Sequence, residues 1–212
     1  MSIFQETSRA IRMTLVLWVL TAFIYPGVML LVGLVFPYQA NGSLSKNAQG
    51  TIVGSALIGQ PFASARYFSS RPSTVDYSTA DPKNDLNNVL KTGVSGASNL
   101  APSNTKELLK DQRKPEAPDL LKRIRSDIDK LQKAGIKPTA DLIYTSGSGL
   151  DPHISVTAAN AQVERVARAR SLPPDSLRSL IAKNTDGRFL GIFGEPGVNV
   201  LKLNLAIDAP NS

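Results

Sequence analysis

The chain contains no cysteine and a single histidine, His153. It therefore lacks the residues for disulfides, thiol nucleophiles, zinc fingers, iron–sulfur clusters and multi-histidine metal centres. Aromatic residues make up 6% and charged residues 19% of the sequence, whereas hydrophobic residues reach 42%, which is enough for a core. A length of 212 residues allows one domain of ordinary size and one additional element, and it excludes a large multidomain enzyme.

The excess of positive charge is modest and is spread along the chain. Lys and Arg number 24 and Asp and Glu 17, which gives a formal net charge of +7 at pH 7. Basic residues have acidic neighbours, such as Arg125 with Asp127 and Lys130 with Asp129. Because nucleic-acid binding needs a concentrated basic surface with aromatic residues, the sequence argues against a nucleic-acid partner.

The strongest signal is a charge-free apolar stretch of 24 residues, 13–36. About 20 helical residues cross a bilayer core, and inside lipid only a helix satisfies the backbone of a single segment. The stretch therefore predicts one transmembrane helix. Pro26 and Gly27 predict a kink near its middle, or a bracing contact with a neighbouring helix.

Two features near this helix indicate whether it is cleaved and how it is oriented in the membrane. A cleaved signal peptide is the alternative, but the apolar stretch is too long for one and no small-x-small cleavage site follows it. Arg9 and Arg12 precede the helix, whereas Lys46 is the one basic residue in the next twenty, which favours a cytoplasmic N-terminus. The predicted organisation is a cytoplasmic segment at 1–12, a transmembrane helix at 13–36 and an extracytoplasmic domain at 37–212.

The domain after the helix is predicted to be a single mixed α+β fold. Apolar periodicity predicts helices that begin near residues 118, 158 and 174, with Gly135 ending the first of them. β-branched and alternating patterns predict strands at 51–58, 141–145, 189–193 and 198–207. Residues 69–106 are rich in Ser, Asn, Gly and Pro and read as a long surface segment, which either binds a partner or is a flexible insertion.

A glycine-rich turn at 146–151 lies between a predicted strand and a predicted helix. Such a turn can place backbone amides against a phosphate, but it matches neither the Walker pattern nor the dinucleotide fingerprint. A structural turn therefore remains the alternative to ligand binding. His153 follows the turn, and without a second histidine or a cysteine it is expected to be hydrogen-bonded at a helix entrance rather than to bind a metal.

A second pattern imitates exported serine hydrolases and acyltransferases. Ser43 and Lys46 have Ser-x-x-Lys spacing, and Lys91, Thr92 and Gly93 form a Lys-Thr-Gly element. In those enzymes the serine opens a helix in a hydrophobic cleft, whereas Ser43 follows Asn41-Gly42 in a polar turn. A membrane-anchored periplasmic serine hydrolase is therefore kept only as the alternative function.

Several short blocks, taken in order along the chain, resemble one known family. They include Gly54-Ser55-Ala56-Leu57-Ile58-Gly59-Gln60, Arg71-Pro72-Ser73, Ser98-Asn99-Leu100, Ser148-Gly149-Leu150-Asp151, Arg165-Val166-Ala167 and Val198-Asn199-Val200-Leu201. These blocks are similar to the signature blocks of the C chain of the bacterial Kdp potassium-transporting ATPase. The resemblance runs from the membrane helix to the last predicted element.

The resemblance implies a non-catalytic accessory subunit of an ATP-driven potassium importer in the inner membrane. Its implied partners are a potassium-translocating chain, a P-type catalytic chain and a small single-span chain. In agreement, Leu90 precedes Lys91-Thr92-Gly93, so the aspartate of a P-type phosphorylation loop is missing. No firmly bound cofactor is expected.

The resemblance also implies a role in ATP binding at a site shared with the catalytic chain, whose nucleotide affinity it would raise. The matching positions are Ser146, Gly147, Ser148, Gly149, Leu150, Asp151 and Gln162. The predicted orientation places this loop outside the cytoplasm, where it would instead stabilise the outer mouth of the potassium pathway. Polar loops that need a partner to order them are the candidate contact surface: Arg71, Pro72, Ser73, Ser98, Asn99 and Leu100.

Overall fold

The computed structural model describes residues 3–78, 93–100 and 119–209, in two compact units, Met1–Leu44 and Ser45–Ser212. The N-terminal unit contains α1 (Ile3–Val19), a π-helical turn (Leu20–Ile24) and α2 (Tyr25–Val35). Together they form one continuous helix of 33 residues that is long and apolar enough to cross a membrane, and none of its apolar window is buried. A short helix, α3 (Pro37–Ala40), follows.

The π-helical turn lies immediately before Pro26, where the sequence predicts a kink. Proline has no amide hydrogen, and its ring clashes with the carbonyl four residues earlier in a regular α-helix. The wider turn at Leu20–Ile24 relieves this conflict within the helix, and Pro26 takes a position in the first turn of α2.

The head, Ser45–Ser212, combines two small sheets with several helices. In the first sheet β1 (Leu44–Lys46) pairs with β2 (Ile52–Ser55). The second sheet is antiparallel and has the order β3–β5–β4, with β3 at His153–Ser155, β4 at Thr185–Asp186 and β5 at Gly197–Asn199. The register places His153 opposite Asn199 and Thr185 opposite Val198.

The described head also has five helices: α4 (Asp119–Lys133), α5 (Ala140–Ile143), α6 (Val156–Arg170), α7 (Pro174–Lys183) and α8 (Val200–Asp208). Two of them begin at capping side chains, because Ser155 accepts a hydrogen bond from the Ala158 amide and Asn199 accepts one from the Lys202 amide. This mixture confirms the predicted α+β class. The helices predicted near residues 118, 158 and 174 are confirmed as α4, α6 and α7, and Gly135 follows α4 at a φ of 71°.

The core lies where α6, α7 and α8 meet the second sheet. Its fully buried members include Val163, Leu177, Val198 and Leu203. Phe68, also fully buried, enters this core from residues 65–69, which belong to no helix or strand. Phe68 is thus embedded in the core although it belongs to no strand, and its backbone must find hydrogen-bond partners outside a sheet.

Three predicted strands were wrong in whole or in part, and the first is 141–145. This stretch contains α5, whose Leu142 and Ile143 are both buried. A strand would turn two successive side chains to opposite faces, whereas one turn of helix buries both. A short apolar run of this length does not distinguish the two structures.

The predicted strand at 189–193 is instead a tight turn. Phe189 and Phe193 form an isolated antiparallel bridge, and Leu190 and Gly191 reverse the chain at φ values of 54° and 74°.

The predicted strand at 198–207 is correct only at its start, where β5 ends at Asn199. Asn199 then caps α8, in which Val200, Leu203 and Ile207 are buried at helical spacing. The alternation of leucines in this stretch concealed that spacing. The predicted strand at 51–58 is confirmed as β2, which is shorter and is followed by a turn.

Candidate functional site

The glycine loop, residues 146–151, connects α5 to β3. Its serine hydroxyls accept hydrogen bonds from its own backbone amides. The Ser146 hydroxyl accepts a hydrogen bond from the Gly149 amide (2.8 Å), and the Ser148 hydroxyl accepts one from the Leu150 amide (3.1 Å). Ser146 is buried, whereas Gly147 and Ser148 are exposed. Two amides that a phosphate would engage are therefore already bound to serine oxygens of the loop.

Three other segments hold the carbonyl groups of the glycine loop. The Ser73 hydroxyl donates to the Gly149 carbonyl (2.7 Å), the Gly96 amide to the Ser148 carbonyl (2.8 Å) and the Gly59 amide to the Leu150 carbonyl (2.8 Å). A side chain at position 149 would come within 2.7 Å of the Gly96 carbonyl oxygen, and the φ of this glycine is +68°. Only glycine meets both conditions without strain.

Arg71 ties the loop to α5 and β3 by charge. Its guanidinium lies 3.1 Å from the Asp151 carboxylate and 4.0 Å from that of Asp141. Each carboxylate also accepts a backbone amide, Asp151 from His153 (2.9 Å) and Asp141 from Ser155 (2.8 Å). One half-buried arginine thus binds a carboxylate at the end of the glycine loop and another on α5, the helix before the loop.

The backbone of Arg71 is held by a buried tyrosine on a left-handed turn. The Tyr77 hydroxyl donates to the Arg71 carbonyl, and burial raises the pKa of Tyr77 to about 12, so the phenol stays protonated and remains a donor at neutral pH. The turn at Asp76–Ser78 has three successive φ values near +55°. In it the Ser78 hydroxyl and Val94 exchange two hydrogen bonds. We refer to residues 71–78, 94–96 and 146–151 together as the junction.

His153 lies beside the junction in β3. Its Nε2 is 3.0 Å from the Asp186 carboxylate on β4, and its Nδ1 is 3.9 Å from that of Asp151. The histidine is therefore hydrogen-bonded just before α6, as the sequence predicts. Within the part of the chain that the structure describes, no three His, Cys, Asp or Glu side chains are grouped to hold a metal ion.

Gln162 has its hydrogen-bonding capacity filled inside the head. The side chain is fully buried on α6; its Oε1 accepts from the Ser69 amide (2.8 Å) and from Arg165 (2.8 Å). Its Nε2 donates to the carbonyls of Ser69 (3.1 Å) and Ala158 (3.4 Å). Two acceptor bonds and two donor bonds are the full set for a glutamine side chain.

Side chains of α6 and α8 also bind the backbone of the residues around Phe68. Asn204 on α8 accepts from the Phe68 amide (2.9 Å) and donates to the Phe68 carbonyl (2.9 Å). Arg165 donates to the carbonyls of Ala65 and Tyr67 at 2.8 Å each, and burial lowers the pKa of its guanidinium. Side chains of α6 and α8 thus take the place of a neighbouring strand for Phe68 and Ser69.

Comparison of the sequence with known proteins shows the family of this chain. The family model of the K+-transporting ATPase c chain, KdpC, matches residues 7–209. The chain belongs to the KdpC family. The potassium-transporting ATPase KdpC subunit of Microcystis aeruginosa is 65% identical over 99% of this chain and 98% of its own length. KdpC subunit 1 of Nostoc sp. is 60% identical over 98% of each chain, and the KdpC subunit of Caldanaerobacter subterraneus is 44% identical over 96% of this chain and 94% of its own.

The family match confirms the resemblance found in the sequence blocks. The structure shows where the predicted site residues of this KdpC chain lie. The glycine loop meets Arg71 and Ser73, so part of the predicted nucleotide set and part of the predicted contact set share one junction. Pro72 is half-buried between them. In the second contact segment, Asn99 is exposed at a φ of 53°, and the Leu100 amide donates to the Ser98 hydroxyl (3.4 Å). The assignments to ATP and to partner contact stay predictions.

The serine-hydrolase alternative gains no catalytic geometry from the described residues. Ser43 lies directly after the turn at Asn41 and Gly42 and does not begin a helix. It is buried at a φ of 50°, and its carbonyl accepts the Tyr38 hydroxyl (3.2 Å). Lys91 and Thr92 lie outside the described residues.

Sequence reasoning missed three residues on which the site depends. Tyr77 lay in a segment with little periodicity, so its burial gave no signal. Asp141 was assigned to a strand. Asn204 could have been found from the sequence, because it is a polar residue on the buried face of a helix. The incorrect strand assignment at 198–207 prevented that face from being recognised.

Proposed function

We propose that this KdpC-family chain is a non-catalytic accessory subunit that assembles and stabilises the potassium-transporting ATPase. In this proposal the helix at Ile3–Val35 lies in the bacterial plasma membrane with its N-terminus in the cytoplasm, and the head lies outside. The partners are the potassium-translocating chain, the P-type catalytic chain and the small single-span chain.

The observation that carries this proposal is the pairing of polar groups at the junction. Catalysis needs a nucleophile, an acid or a base that can reach a substrate. At the junction Arg71 binds Asp151 and also Asp141 of α5, each carboxylate accepts a backbone amide, and the hydroxyls of Ser146 and Ser148 accept loop amides. Such a junction fixes the shape of a head, which is the property that a docking subunit needs.

ATP binding at a site shared with the catalytic chain is the second proposal. It is supported by the exposure of Gly147 and Ser148 at the outer side of the glycine loop. Gln162 would have to exchange its four hydrogen bonds to take part. Replacing Ser148 by Ala tests this role: the apparent KM of the complex for ATP should rise if the loop binds nucleotide and stay unchanged if it only shapes the head.

The accessory role is tested by deleting the subunit from the complex. Without it, the potassium-translocating and catalytic chains should no longer co-purify, and potassium-stimulated ATPase activity in membranes should be lost. Supplying the full-length chain again should restore both. Normal potassium uptake and activity in the deletion would contradict the proposal.

A further inference from the structure

The loop between β4 and β5 carries a cluster of apolar side chains that the head leaves in solvent. Phe189, Leu190 and Ile192 are 70–74% exposed, more than any other large apolar residue in the described part of the head, and Phe193 is 61% exposed. We call these four residues the apolar tip. Contiguous exposed apolar surface of this kind marks an interaction site.

The apolar tip has a fixed shape before any partner binds. Phe189 and Phe193 exchange backbone hydrogen bonds of 2.8 and 3.0 Å across the turn. Below them, Arg188 makes two bonds of 3.0 and 3.1 Å to the Glu195 carboxylate. Leu190 adopts a φ of 54°, a conformation that costs free energy for a branched apolar residue. A backbone turn that is ordered in advance loses less entropy on docking.

The base of the tip is anchored in the core. The strand that leaves the tip, β5, is the central strand of its sheet, and its Val198 is fully buried. On the other side, β4 pairs with β5 at Asp186 and Gly197. The tip is therefore joined directly to the core of the head.

The charges around the tip decide between a protein and a lipid surface. Binding to anionic lipid relies on several unpaired Lys or Arg residues beside the apolar side chains. Residues 187–197 contain one basic residue, Arg188, and it is paired with Glu195. A neutral, preformed tip with two aromatic residues has the character of an anchor that fills an apolar pocket of a protein.

We propose that the apolar tip inserts into an apolar pocket of another subunit of the same ATPase, on the side of the membrane where the head lies. This inference rests on the accessory role proposed above. The partner is identified by its chemistry: a pocket lined by aliphatic and aromatic side chains, with few charges at its rim.

The test compares two variants of the full-length chain in the complete complex. Leu190→Asn combined with Ile192→Ser removes the two aliphatic side chains of the tip and keeps the Phe189–Phe193 bridge, and Asn tolerates the positive φ at position 190. Leu57→Asn is the matched control, since Leu57 is 64% exposed elsewhere in the head. The tip variant should bind the other subunits about tenfold or more weakly, whereas the control should bind as the unmodified chain does. Equal binding by both variants would overturn the inference.

Two further measurements separate the causes of any loss. The tip variant should unfold at the temperature of the unmodified chain, because the changed side chains are in solvent; a marked drop would assign the loss to folding and count against the inference. If deleting the whole subunit leaves the ATPase intact, the accessory role itself fails. If the deletion disrupts the ATPase but the tip variant assembles normally, the inference about the tip fails and the accessory role stands.

A lipid occupant is tested with a single label. The chain has no cysteine, so Ile192→Cys carries one environment-sensitive fluorophore in the full-length chain. In vesicles of phosphatidylcholine and phosphatidylglycerol, the label should be quenched by aqueous iodide, and adding the other subunits should protect it. Protection in vesicles of the chain alone would assign lipid as the occupant and overturn the inference.

Discussion

At the scale of single residues, Arg71 and Tyr77 together connect the left-handed turn to the glycine loop. Tyr77 lies on a left-handed turn, and each non-glycine residue in that conformation costs about 1–2 kcal/mol. The turn persists because it buries the tyrosine ring and lets the hydroxyl bind the Arg71 carbonyl. The side chain of Arg71 then binds Asp151. The strained turn thus places Tyr77 where it holds Arg71, and Arg71 in turn holds the glycine loop.

Replacing Arg71 by Gln should lower the free energy of unfolding by about 2–3 kcal/mol, because it leaves two half-buried carboxylates without their cation. The detergent-solubilised chain can be unfolded with urea and followed by circular dichroism. Arg178→Gln is the control, since Arg178 bonds Glu164 and Asp175 on the exposed surface. The control should change stability by about 0.5 kcal/mol or less. Similar losses in both variants would show that Arg71 does not organise the junction.

At the scale of elements, side chains of α6 and α8 replace a neighbouring strand for Phe68 and Ser69. Gln162 binds both backbone groups of Ser69, and Asn204 binds both backbone groups of Phe68. A side-chain amide presents a donor and an acceptor side by side, as a neighbouring strand does. Phe68 can therefore lie in the centre of the core without a ladder of its own.

Replacing Asn204 by Leu should destabilise the head by about 2–4 kcal/mol, because the Phe68 amide and carbonyl would stay buried without partners. Hydrogen exchange should show faster exchange of the Phe68 amide in this variant. Asn160→Leu, at an exposed position of α6, is the matched control and should have little effect. Unchanged exchange at Phe68 would contradict the surrogate role.

The elements also show how far the sequence alone can lead. Long amphipathic stretches with caps and stop signals were predicted correctly as α4, α6 and α7, because their periodicity extends over ten residues or more. The short stretches at α5 and α8 were assigned as strands, since four or five apolar residues fit either period. The junction was foreseen only as separate loops: the partners of the glycine loop in it are about 50 to 80 residues away along the chain, and local patterns do not report such contacts.

At the scale of the whole molecule, the side of the membrane on which the head lies decides between the two proposed roles of the glycine loop. Ser148→Cys introduces a single thiol at an exposed position. In cells with a permeable outer envelope, a membrane-impermeant reagent should label it from outside, because Arg9 and Arg12 favour a cytoplasmic N-terminus.

Gln5→Cys is the control for this labelling, since it lies on α1 before the apolar stretch. It should react only after the inner membrane is opened. The reverse pattern, with position 5 labelled outside and position 148 protected, would place the head in the cytoplasm and favour the ATP role.

The π-helical turn at Leu20–Ile24 has a consequence for how the helix meets its neighbours. The turn accommodates one more residue than a regular α-helical turn, and one residue corresponds to about 100° of rotation around the axis. Side chains that form a stripe on α1 are therefore out of phase with the stripe that α2 continues. In the proposed membrane span, the two halves of the helix can then present their stripes to different neighbours, and removing one residue from this turn would realign them.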